Sequence, residues 1–143
     1  MIRALALAEA AAQSGEVPVG AVVVRGGTII GEGANHPREQ HDPTAHAEII
    51  ALRAAAAAIG SDRLHECDLW VTLEPCAMCA GAIAHARVAR LYYGAADAKG
   101  GAVEHGPRLF SQPTIHHRPE VYDGIMAGES AALLRSFFGA RRG

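Results

Sequence analysis

The stretch Asp68–Gly94 reads DLWVTLEPCAMCAGAIAHARVARLYYG, and its three parts decide the fold. DLWVTL is a short, nearly continuous apolar run, which predicts a central strand. CAMCAGAIAHA predicts a helix whose small residues let it pack closely on a sheet. ARLYYG predicts the next strand. Towards the N-terminus, HDPTAHAEIIALRAAAAA (His41–Ala58) predicts a helix entered at Pro43-Thr44, running from about Ala45 to Ile59 and stopped by Gly60. Before it, VPVGAVVVRGGTIIGEGAN (Val17–Asn35) predicts a hairpin turning at Gly26-Gly27. The opening residues recur at helical spacing to about Ala12. Beyond Gly94, a Gly-rich loop (95–107) has the composition that builds sites rather than cores. IHHRPEVY (115–122) predicts a fifth strand held to an edge by Pro119, and GESAALLRSFF (128–138) a last helix. This alternation predicts one α/β domain over residues 1–143, a three-layer α/β/α sandwich with a mixed five-stranded sheet.

Composition bounds the rest. At 143 residues, 50% apolar and 5% aromatic, the core must come from Ala, Val, Ile and Leu. No apolar run approaches the roughly 18 to 20 residues of a membrane span. Glu9 interrupts the opening helix before it could read as a signal peptide. A soluble, cytoplasmic protein without membrane partners is the expectation. Charge is uneven: residues 1–74 hold five basic and ten acidic side chains, residues 75–143 eight and five. FFGARRG at the C-terminus is the most basic part, although a short Arg-rich tail is ordinarily just solvated.

Three cysteines cannot all pair, and two lie in PCAMC, a spacing that suggests metal or redox chemistry. At a helix start, Cys76 and Cys79 share one face, and the N-terminal dipole favours their thiolates. A structural zinc site would want four protein ligands, and no second CxxC or HxxxH pair is present. Cys67 has no partner and reads as an idle buried thiol. His46 brings the count to three and leaves one position for water, the arrangement of a catalytic zinc site holding one Zn2+ per chain. Glu48 then reads as the carboxylate that moves the proton of that water. H-x-E with P-C-x-x-C is a known signature of zinc nucleobase deaminases.

At these residues the chain resembles the bacterial tRNA-specific adenosine deaminases (the TadA family) of the cytidine deaminase-like superfamily. GEVPVGAVVV, GEGAN, HDPTAHAEIIALR, LWVTLEPCAMCAGAI, DAKGGAV and AALLRSFF carry the likeness. The resemblance implies deamination of adenosine to inosine at the wobble position of a tRNA anticodon. It implies zinc on His46, Cys76 and Cys79, with Glu48 as proton shuttle. Asn35 and the Ala47 amide would meet the base, and Val17 and Pro18 would line the pocket. Phe137, Phe138, Arg141 and Arg142 would approach the anticodon stem-loop, where splayed bases stack on aromatics and phosphates pair with Arg. Lys99 and Arg118 are further candidate phosphate contacts, and among the spare imidazoles His41 and His117 are the two not read simply as surface or loop residues. The resemblance also implies a homodimer. EHGPRLFSQPTIHHRPEVYDG (104–124) departs from the commoner family pattern. Two rivals share the motifs: a deaminase of free guanine or cytosine, and a zinc-stabilised binding module without catalysis.

Overall fold

The structure, a computed structural model, describes residues 1–142; the Arg142 side chain and Gly143 lie outside the described residues. Helix α1 (Ile2–Gln13) leads into a hairpin of β1 (Gly20–Arg25) and β2 (Thr28–Ala34). Then come α2 (Ala47–Ile59), β3 (Cys67–Leu73), α3 (Ala77–Ala86), β4 (Arg90–Ala95), β5 (Glu120–Tyr122) and α4 (Ala127–Arg142). The sheet order is β2-β1-β3-β4-β5. β1 runs antiparallel to β2 and β3, while β3, β4 and β5 are parallel, so the sheet is mixed. α2 and α3 cover one face and α1 and α4 the other, which gives the expected three layers.

Each layer follows from side-chain size and period. Along β3, Cys67, Leu69 and Val71 point to the α2/α3 side and are fully buried with Leu91, Tyr93, Ala80 and Ile83. Trp70, Tyr92 and Tyr122, one per neighbouring strand, stack on the opposite face. α2 sits unusually low on the hairpin: a Cβ at Gly31 or Gly33 would run into the backbone of Ala51 or Ala47. Only glycine leaves room for that approach, and it fixes the height of the helix that carries His46 and Glu48.

Three boundaries differ from the sequence expectation. α2 begins at Ala47 rather than Ala45, because Asp42 Oδ1 takes the amide (2.9 Å) and hydroxyl (2.7 Å) of Thr44, holding residues 42–45 in a turn. β5 is three residues long rather than eight. His117 Nε2 donates to the Val88 carbonyl at 2.7 Å and Arg118 to that of Gln112 at 3.2 Å, so this segment folds against the edge instead of extending along it. α4 continues past Phe138 to Arg142. Among the described residues no helix is long and apolar enough to cross a membrane.

Candidate active site

The parallel strand β3 delivers the chain, through Glu74-Pro75, to the N-terminus of α3, and α2 begins beside it. Cys76 is the N-cap of α3 and His46 the N-cap of α2, both in extended backbone conformation. Two helix starts therefore aim ligand side chains at one point. His46 Nδ1 lies 3.6 Å from Cys76 Sγ and 3.5 Å from Cys79 Sγ, and the three donor atoms all fall within 4.8 Å of one another. A tetrahedral ion with bonds of about 2.3 Å to sulfur and 2.0 Å to nitrogen requires an N···S edge of about 3.5 Å, so the imidazole stands at the distance from both sulfurs that zinc requires. Two thiolates and an imidazole are also the soft donors such an ion selects. One thiol is already prepared. The neighbouring Cys79 and His46 hold the Cys76 thiol well below its ordinary pKa, whereas Cys76 and burial push that of Cys79 up, so the expectation of two ready thiolates is met at Cys76 alone. His46, bonded to Cys76, is raised in turn.

Glu48 stands two residues beyond His46, in the first turn of α2, and is 4% exposed. Burial pushes its carboxyl up to about 7, opposed by its own backbone N–H and by the Cys79 thiol, and reinforced by the Cys76 charge. A carboxyl with that pKa, beside a metal trio, is suited to accept and return a proton near neutral pH.

The remaining expected residues fall into three groups. Asn35 is buried next to the trio, and its Oδ1 accepts the Ala47 N–H at 2.8 Å, so these two bond each other. Val17 lines a cavity of about 460 Å³ with Leu73, Ala96, Asp97, Lys99, Leu134 and Phe138, whereas Pro18 is buried behind it. Phe137 and Arg141 lie apart from that cavity. The Arg141 guanidinium sits 4.2 Å over the Phe137 ring and donates to the Gly15 carbonyl at 3.0 Å, tying α4 to the end of α1. Arg142 lies outside the described residues as a side chain. His41 is exposed, and His117 and Arg118 are engaged with backbone at the sheet edge.

Two residues at the site were missed by sequence reasoning. Glu16 is 1% exposed and accepts the Arg38 and Glu39 amides at 3.3 and 2.9 Å, fixing the loop after Asn35. Glu74 is likewise buried and accepts from the Gly-rich loop. Burial would raise its carboxyl, but donors from Asp97, His105, Glu104 and Val103 outweigh that and hold it below the usual range. A charged residue standing next to an apolar strand or a proline turn was the available signal.

The family of MafB19-like deaminases matches residues 1–142. The chain belongs to this deaminase family. It is 56% identical to a tRNA-specific adenosine deaminase of Agrobacterium fabrum over 97% of this chain and 91% of that one. A solved structure from a study of A-to-I editing by tRNA:A34 deaminases at the wobble position is 56% identical, with a TM-score of 0.90 over 92% of this chain and 95% of that one. A guanine deaminase of Nitrosomonas europaea is 26% identical, with a TM-score of 0.78 over 96% and 81% of the two chains. The α/β sandwich of this family member is thus the cytidine deaminase-like fold that the motifs implied, and the His46, Cys76 and Cys79 group is one that could hold a metal.

Proposed function

We propose that residues 1–143 form a single zinc-dependent deaminase domain that converts adenosine to inosine at the wobble position of a tRNA anticodon, releasing ammonia. The observation that carries this is the wholly buried Glu48 set against the His46, Cys76 and Cys79 trio. The tRNA adenosine deaminases at 56% identity support the substrate. His46, Cys76 and Cys79 would hold one Zn2+, which when bound supplies the Lewis acidity that makes water a nucleophile at neutral pH. Glu48 takes the proton released as the water attacks C6 of the base and returns it towards the departing amine, so one water is consumed and one ammonia leaves. Asn35, held by Ala47, presents the edge of a flipped base with a polar group. Val17, Lys99 and Phe138 offer a neighbouring nucleotide an apolar wall with one cation, beside the Asp97 carboxylate. Phe137 and Arg141, packed on each other, form a separate patch on α4, and Arg142 follows them in the sequence as a further basic residue for the RNA.

The protein acts in the cytoplasm as a homodimer. An open groove of about 530 Å³ between α2 and α3, lined by apolar residues such as Ile49, Leu52 and Ala82 together with Arg53, Arg63 and Asp62, is the mixed face that a second copy would cover. The guanine deaminase likeness keeps a free-base substrate as the second reading. One assay separates them: metal-loaded protein is offered an anticodon stem-loop with a wobble adenosine, alongside free guanine, cytosine and cytidine. Inosine in the RNA alone supports the tRNA reading. Ammonia from a free base alone overturns it and leaves the proton chemistry standing.

A further inference from the structure

We infer that Glu74 is a positioning residue whose buried carboxylate locks the loop 97–105 to the metal-ligand turn and so shapes the cavity wall that receives RNA; this rests on the reading given under Proposed function. Its Oε1 accepts the Asp97 amide at 3.0 Å and His105 Nδ1 at 2.8 Å. Its Oε2 accepts the amides of Val103 (3.1 Å), Glu104 (2.9 Å) and His105 (3.1 Å). The carboxylate only accepts, so His105 Nδ1 carries the proton. Every one of these donors comes from the same loop, and none from the helices or strands of the core.

The loop is built around this group. A Cβ on Gly101 would stand 2.5 Å from Glu74 Cδ and 2.6 Å from its Oε2, so the chain passes the carboxylate where only glycine fits. The Ala102 amide bonds the Pro75 carbonyl at 2.9 Å, a second tie to the turn that leads into Cys76. On its outer side the same loop presents Asp97 and Lys99 to the cavity shared with Val17 and Phe138. Glu74, together with the Ala102–Pro75 bond, therefore holds the distance between the reacting centre and that wall. Burying a charge for this purpose is costly unless it is met by donors, and five meet it.

The test uses the full metal-loaded chain. Glu74→Gln turns an acceptor into a donor facing two or three N–H groups, and Gly101→Ala displaces the carboxylate from the other side. For both, KM for the anticodon stem-loop is expected to rise about 10- to 100-fold, the usual consequence of misplacing a substrate-contacting wall. Metal content and kcat should stay near wild type, and the amides of residues 97 and 103–105 should exchange hydrogen faster. His105→Ala, at a half-buried side chain, removes one donor and keeps the four amides on Glu74, so it is the mildest of the three changes should the others fail to fold. It is expected to raise KM about three- to tenfold, the worth of one hydrogen bond. An unchanged KM in His105→Ala and in whichever of the other two folds overturns the inference. So does a loss confined to kcat and metal content, which would make Glu74 a support of the ligand turn alone. A wild-type protein that neither binds nor deaminates the stem-loop defeats the underlying reading instead, and the inference falls with it.

Discussion

The two faces of the sheet are covered to different extents. Under α2 and α3, Gly31 and Gly33 admit the backbone of α2, and the fully buried Ala80, Ile83 and Ala84 of α3 lie on the sheet. On the other face Gly20 admits the backbone of α1 in the same way, but towards β5 the cover passes to the aromatic ladder of Trp70, Tyr92 and Tyr122, with Tyr122 still 43% exposed. The chemistry sits at the end of the tightly packed face. Two helix N-caps can hold donor atoms 3.6 Å apart only if neither helix can slide on the sheet. The looser face does not have that duty, and it holds its edge with exposed ion pairs such as Arg3–Glu32.

This contrast can be broken at several points. Cys79→Ala, at a fully buried ligand position, is expected to abolish metal binding and deamination together, measured as metal per chain and ammonia release, while the aromatic ladder stays intact by near-ultraviolet circular dichroism. In the metal-free protein, Glu48 should weaken the fold as pH rises from its ordinary 4.5 to about 7. There the unfolded chain has released a proton that the native one keeps, so stability falls with pH. Because Cys76 and His46 titrate as well, the clean quantity is the stability of Glu48→Gln minus that of wild type. It should grow across that window by about 3 kcal/mol in denaturant titrations. Gly33→Ala should cost about 1–3 kcal/mol by overpacking α2. Tyr122→Ala, on the open face, should cost clearly less in the same melts. Arg3→Ala breaks an exposed pair and should leave the melting temperature unchanged within error.

Much of the fold and the trio was legible because both are written in short spacings. The Gly26-Gly27 turn separates the two strands of the hairpin as expected, and HAE and PCAMC each lie within a few residues of the helix start that aims them. What escaped depends on distant partners. Glu16 and Glu74 bind amides 22 to 31 residues away, and nothing in their own neighbourhood names those donors. The segment 115–122 shows β-branched and aromatic residues that suit a strand, yet His117 and Arg118 spend their side chains on backbone carbonyls and Pro119 has no N–H to offer a ladder. Arg141 has the chemistry of an RNA contact, while its geometry ties α4 to Gly15 and lays the guanidinium over Phe137 of its own helix.

The most direct measurement is a paired determination of bound metal and inosine formed on an anticodon stem-loop, for wild type and Glu48→Gln. If Glu48 moves the proton and does not hold the metal, the variant should keep its metal and lose about 10²- to 10⁴-fold in inosine formation. A variant that keeps both metal and near-wild-type inosine formation would contradict the account.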